Sequence, residues 1–196
     1  MSDFIASFRD GRRDPFHYGS ALFVLLVSLV AYVRTVQPTV PYWDCGEFIA
    51  CAHTLSVPHP PGTPLFMMLG RIFDLLPLGG ELAYRVNLLS SVSSAFAVMF
   101  AYLITPWIIS RWYRKVDSIY KRVTVYTGGI ISALFVAFSK TFWTNAVEAE
   151  VYGTSMLIMA VSIYLILKWS DHNTDRQGEK YLLLFTFLST LALGVH

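Results

Sequence analysis

The stretch TPLFMMLGRIFDLLPLGG, residues 63–80, decides the topology of this chain. It is apolar enough to suggest a membrane span, yet it carries Arg71 and Asp74, and Pro77 interrupts it before spanning length is reached. If it crossed, every later segment would change sides. We read it as a helix lying in or near the membrane interface, with Thr63 as N-cap and Pro64 at the first helical position. Arg71 and Asp74, three apart, then pair on its wet face.

The rest of the chain is membrane-like. Hydrophobic residues make up 55% and charged residues only 14%, against roughly a quarter charged in soluble domains. Four apolar stretches of helical length are expected to span, at residues 18–36, 84–109, 123–142 and 153–169, and a fifth begins at Tyr181 and continues to residue 196. The sequence stops inside that run, so a longer protein is expected and residues 1–196 alone should be inactive. The fold class is an all-α membrane protein, a multipass helix bundle whose first external loop holds short amphipathic helices.

Arginine and lysine orient the bundle. Arg9, Arg12 and Arg13 precede the first span, Arg111, Arg114, Lys115, Lys121 and Arg122 join the second to the third, and Lys168, Arg176 and Lys180 join the fourth to the fifth. By the positive-inside rule these segments are cytoplasmic, including residues 1–17. A crossing at residues 63–80 would turn the most basic loop outward. The loops at 37–83 and 143–152 are therefore extracytoplasmic, and their carboxylates can converge. The amino terminus lacks the pattern of a cleaved signal, so the first span is a retained anchor. A net charge of +2 with scattered basic residues gives no reason to expect a nucleic-acid partner.

The first of those loops contains VPYWDCGEFIACAHTLSVPHPPGTPLF, residues 40–66, with two carboxylates, two histidines, two cysteines and five prolines. Asp44 and Glu47 share one face of a helix turn. Two readings stay open: a capping box, in which each side chain bonds the other's backbone N–H, or an active site. They are compatible, since a capped carboxylate is rigid and stays ionised. Cys45 and Cys51, six apart on a helix, fall on different faces and are expected to be free thiols. His59 is bracketed by Pro58, Pro60 and Pro61, which hold it still for phosphate binding, proton transfer or metal ligation. His53 reads as an ordinary polar-face residue, and His196 supports no argument.

The second loop, in WTNAVEAEVYGTS, residues 143–155, repeats the acidic theme. Asn145 and Glu148 have cap spacing, while Glu150 falls two residues on. These carboxylates are either solvated at the mouth of a span or part of a site. No zinc spacing, phosphate loop or nucleophile elbow occurs.

The order WDCGEF, then PHPPGTPLF, after a first span resembles the membrane-embedded glycosyltransferases of the GT-C fold, most closely the protein O-mannosyltransferase-like family. The resemblance covers about residues 37–89, and VEAEVY, residues 147–152, fits the family's second acidic element. It implies a sugar, mannose, carried on polyprenyl phosphate and moved with inversion to Ser or Thr hydroxyls of exported proteins. It further implies Asp44 as the general base, with Glu47 orienting the acceptor. Glu148, Glu150 and Tyr152 would bind substrate, and His59, Arg71 and Arg85 would face the departing phosphate. Arg85 also fits a plain snorkelling role at a span end.

No cofactor is expected beyond the lipid-linked donor. The four carboxylates are hard oxygen ligands that suit a divalent metal, but the leaving group is already good and no metal is called for. The expected setting is a bacterial inner membrane with the site facing the periplasm, or equally an endoplasmic reticulum membrane with a luminal site. The rival class is a transporter or assembly protein. A transporter would place ionisable groups near the midplane beside broken helices, whereas YTGGII, residues 126–131, is the one glycine break in a span and has no charge next to it.

Overall fold

The computed structural model describes residues 15–113, 116 and 118–195. The expected cytoplasmic segment up to residue 14, with Arg9, Arg12 and Arg13, lies outside the described residues, as do Arg114, Lys115 and His196. The described residues form helices and connecting turns without strands. In chain order they are α1 (Pro15–Thr35), α2 (Cys45–Thr54), α3 (Pro64–Leu75), α4 (Leu82–Trp112), α5 (Ile119–Ala137), α6 (Lys140–Ala146), α7 (Val151–Asp171) and α8 (Arg176–Ala192).

By length and composition α1, α4 and α7 can each cross a membrane, and α5 with α6 makes a fourth candidate bent by 67°. This is an integral membrane protein of several apolar helices. Large side chains such as Leu22, Phe23, Leu26 and Val30 on α1, Phe135 on α5 and Phe187 on α8 stay exposed, as helices surrounded by lipid require. The deciding stretch forms α3, only 12 residues long, or about 18 Å at 1.5 Å per residue, too short to cross about 30 Å of hydrocarbon. Pro64 does stand at its first position, but Thr63 makes no side-chain cap bond and sits at φ 35°.

The 31-residue α4 is the axis, packed against α1, α5, α7 and α3. Its buried face is unusually polar for an apolar helix: Asn87, Ser90, Ser91, Ser93 and Ser94 are all buried. Small side chains let neighbouring backbones approach, and their hydroxyls satisfy carbonyls that lipid cannot. Ser91 Oγ donates to the Ala146 carbonyl at 2.8 Å, and Ser90 Oγ donates to the Glu150 carbonyl at 3.1 Å. Gly153 sits directly on this face, where a Cβ would lie 2.7 Å from Ser94 Oγ and 3.1 Å from the Ser90 carbonyl oxygen.

The third stretch differs from expectation. Residues 126–131 do not break it; α5 runs through them, and Gly129 makes room for Pro106 of α4, whose Cγ would lie 2.7 Å from a Cβ there. The break falls instead at Phe138–Ser139. Ser139 turns its N–H and its hydroxyl onto the Val136 carbonyl, at 3.1 and 2.8 Å, and the chain restarts as α6. Serine's local hydrogen bonding competes with the helix ladder here. The Asn145–Glu148 cap is also absent: Asn145 lies inside α6 and donates to the Thr141 carbonyl, and Glu150 occupies the N-cap of α7.

Among the described residues, two larger packed clusters form, beside a smaller one at Val116, Val125 and Tyr126. One joins Phe48 and Ile49 of α2, Phe66 and Met67 of α3, Val86 and Leu89 of α4, and Ala149 and Val151 by α7. The other joins Val24 and Tyr32 of α1, Val98 and Tyr102 of α4, and Ala133 and Ala137 of α5. Residues 194–195 pack against the start of α3 as well, since Leu65 N–H donates to the Gly194 carbonyl at 2.7 Å and Val195 is buried.

Replacing Gly153 by Ala is expected to cost about 1–3 kcal/mol through overpacking of α4 against α7. The check is thermal unfolding of the purified protein in detergent, with a lower midpoint than wild type and partial recovery when Ser94→Ala is added.

Candidate active site

The segment after α1 is pinned before it reaches the acidic motif. Asn87 Nδ2 donates to the carbonyls of Gln37 at 2.8 Å and Thr39 at 3.1 Å, and Gln37 N–H donates to the Val147 carbonyl at 2.9 Å. The last bond ties the first loop to the second. Trp43 then takes a left-handed turn, φ 61°, and α2 starts at Cys45 with Asp44 at its N-cap.

The capping box does not form. The Asp44 side chain makes no cap bond and is exposed, and Glu47 does not reach back. Glu47 instead accepts two bonds from His59, one from its backbone N–H to Oε1 and one from Nδ1 to Oε2, both at 2.7 Å. Gly62, at φ 89°, closes the turn by donating to the His59 carbonyl at 3.0 Å, and Phe48 packs its ring 5.6 Å from the imidazole. Asp44, Glu47 and His59 each offer one ligand atom, all within 4.8 Å of one another. These three are the described residues best placed to meet a divalent cation, although Glu47 and His59 Nδ1 are already engaged with each other.

The second loop arrives from the other side. Cys45 Sγ donates to Glu150 Oε1 at 3.5 Å, and Glu150 is held by its backbone as well, its N–H donating to Ser90 Oγ at 3.3 Å. The structure thus brings Asp44, Glu47, His59 and Glu150 to one end of the bundle, with Glu148 close enough to act on Cys45 electrostatically. Tyr152, the second residue of α7, is half exposed and borders a cavity of about 410 Å³ lined also by Ser94, Phe142, Asn145 and Met156.

Arg71 and Arg85 go elsewhere. Arg71 pairs with Asp74 Oδ2 at 2.6 Å, so that pair forms, but not on a wet face: Asp74 is buried. Arg85 reaches the same carboxylate at 3.1 Å and the Asp74 carbonyl at 2.8 Å, and His53 Nδ1 lies 2.8 Å from Oδ2. His53 marks the far end of α2, about 13 Å from Asp44 by helical rise. The cationic cluster and the acidic cluster are separate.

The electrostatics follow from these contacts. The hydrogen bond from His59 holds the Glu47 carboxyl below the usual range, and the bond to Glu47, with the charges of Asp44 and Glu150 adding to it, pushes His59 up. Burial raises Glu150, an effect only partly offset by the Cys45 hydrogen bond and reinforced by Asp44 and Glu148. Burial also raises Glu148 and, together with Glu150 and Glu148, the Cys45 thiol, which therefore keeps its proton. Burial alone would raise Asp74 too, but bonds from His53 and Arg85 and the nearby charges outweigh it, and its carboxyl lies below the ordinary value.

Sequence reading gave no role to Asn87 and Ser90, and it named Cys45 only as a free thiol and Asp74 only as the partner of Arg71. The signal available was the serine density of NLLSSVSSA, residues 87–95, inside an apolar span.

The fold and this site define a multipass integral membrane protein with two acidic loops meeting at one end of its bundle. Comparison with known proteins narrows the class. Residues 44–196 match the family described as the protein O-mannosyl-transferase TMEM260 N-terminal domain, and the chain belongs to that family. It is 28% identical over 175 residues to the protein O-mannosyl-transferase TMEM260 of Mus musculus, covering 89% of this chain and 23% of that protein. It is 29% identical over 166 residues to the protein O-mannosyl-transferase tmem260 of Dictyostelium discoideum, covering 83% of this chain and 18% of that protein. The chain thus spans less than a quarter of these curated relatives. No solved structure matches.

The lowered Glu47 contributes stability that is lost as pH falls through its folded value, and the raised His59 contributes stability that is lost as pH rises through its folded value. The contact is complete between the ordinary values of the two groups, about 4.3 and about 6.5. Nuclear magnetic resonance titration of His59 is expected to show its pKa falling in Glu47→Gln; an unchanged value would dissolve the contact. Asp74→Asn, which leaves two arginines short of a partner, is expected to lower thermal stability more than Glu47→Gln, whose carboxylate is exposed.

Proposed function

We propose that this chain is the catalytic amino-terminal part of a GT-C-type membrane glycosyltransferase that transfers mannose from a polyprenyl-phosphate donor to Ser or Thr hydroxyls. The observation that carries the reading is the meeting of Asp44 and Glu47 with Glu150 across two loops more than a hundred residues apart in sequence, tied by the Cys45–Glu150 hydrogen bond. Membership of a family described as O-mannosyl-transferases supports it. The reaction runs on the extracytoplasmic side, periplasmic in a bacterium or luminal in the endoplasmic reticulum, in keeping with the basic loops assigned to the cytoplasm.

In this reading the acceptor hydroxyl oxygen attacks the anomeric carbon with inversion. The carbon–oxygen bond to phosphate breaks, and its electron pair leaves with the phosphate. Asp44, exposed and free of any cap bond, takes the hydroxyl proton. Glu47, fixed by His59, orients the acceptor, and Glu150 and Glu148 meet the sugar hydroxyls. His59, raised by Glu47 and adjacent to Asp44, is the cation beside the reacting centre and balances the departing phosphate. Arg71 and Arg85, bound to Asp74 at the far end of α2, act on the lipid side through their remaining N–H groups. Tyr152 and the cavity beside it accept the donor's neighbouring apolar portion. No metal is assigned a role.

Membranes containing the full-length protein are expected to transfer mannose from mannosyl polyprenyl phosphate to a Ser/Thr peptide. Asp44→Asn is expected to slow transfer about 100-fold or more, the usual scale for loss of a general base, and Glu47→Gln by less. Transfer that survives Asp44→Asn at matched protein levels would overturn the assignment of the base.

A further inference from the structure

Cys45 is fully buried between Asp44 and the acidic residues of the second loop, and its side chain donates to the Glu150 carboxylate. A thiol there is a weak donor aimed at one of two carboxylate oxygens. The backbone of Glu150 is fixed independently: Ser90 accepts from its N–H and donates to its carbonyl. With the main chain held on α4, one carboxylate oxygen is held by Cys45 of α2, and the Val151 backbone N–H also bonds the carboxylate, so the two together orient the Glu150 side chain.

We propose that Cys45 is a positioning residue that sets the orientation of the Glu150 carboxylate toward the sugar, coupling the first acidic loop to the second through an S–H···O hydrogen bond. This rests on the glycosyltransferase reading for its catalytic consequence, but not for the contact itself. The other cysteine, Cys51, lies on a different turn of α2 and is also buried and free, so it serves as an internal reference. The hydroxyl of Cys45→Ser, a stronger donor on a shorter bond, keeps the contact once the Glu150 side chain closes toward it, whereas Cys45→Ala removes it and leaves the carboxylate without its tie to α2. Misplacing a substrate-contacting group slows the chemical step more than it weakens binding of a large lipid donor.

Two measurements on the full-length protein test this. Infrared spectroscopy resolves S–H stretches in a window clear of other protein bands. The Cys45 stretch, identified by its loss in Cys45→Ala, is expected at lower frequency than that of Cys51 and should rise when Glu150→Ala removes the acceptor. A Cys45 stretch unmoved by Glu150→Ala would overturn the proposal whatever the activity. In the transfer assay, Cys45→Ala is expected to lower kcat on the order of tenfold with little change in KM for the donor, and Cys45→Ser to restore most of it. Equal kcat for wild type and Cys45→Ala, in protein of equal thermal stability, would also overturn it. Absence of transfer by the wild type would instead overturn the function proposed above, and the infrared arm would still decide the contact.

Discussion

Hydrogen bonds donated from the buried face of α4 decide where both acidic loops lie. Asn87 holds the carbonyls of Gln37 and Thr39, Ser90 holds that of Glu150, and Ser91 holds that of Ala146. Irregular backbone inside a protein of this kind must find donors, because neither lipid nor a packed interior supplies water. One helix supplies them from adjacent turns, so the segment leaving α1 and the segment entering α7 are fixed against the same short length of α4. Everything chemical in the site follows from that shared anchor.

The anchor also sets the electrostatics. Drawing Glu150 and Glu148 inward raises both carboxyls by desolvation, while Glu47 stays low because His59 bonds it. Carboxylates of different basicity therefore stand within one site, which is the arrangement that lets one group take a proton while another remains a fixed negative partner. The positive charge is distributed differently. His59 joins the carboxylates, whereas Arg71, Arg85 and His53 surround Asp74 at the opposite end of α2. That second cluster ties α2, α3 and α4 into one unit, so the position of Asp44 and Glu47 at the near end depends on an ion network at the far end.

Much of the organisation was legible in the chain itself. Length and hydropathy located the apolar helices, and Pro64 and Pro77 bounded α3 as a short helix rather than a span. The acidic motifs around Asp44 and Glu150 stood out because charge is scarce in this composition. The glycines at residues 128 and 129 are not the break that their pattern suggests, since pattern alone does not distinguish a glycine that breaks a helix from one that admits a neighbour's proline, and the break at Ser139 has no such signal. Of the two readings open at Asp44 the cap did not form, because Glu47 bonds His59 and Asp44 stays exposed, and the cap at Asn145 gave way to a bond to the Thr141 carbonyl.

By itself the sequence determined an all-helical membrane bundle with two acidic loops, because hydrophobic run length and charge placement are local properties that solvent and lipid read directly. Only the tertiary structure decided which polar groups meet. Glu47 with His59, Cys45 with Glu150 and Asp74 with two arginines are pairings across 12, 105 and up to 11 residues. The Arg71–Asp74 pair was legible in its spacing, but the meeting of Asp74 with Arg85, of Cys45 with Glu150 and of Glu47 with His59 is chosen by how the helices and the turn at residues 58–62 pack, which spacing along the chain does not specify.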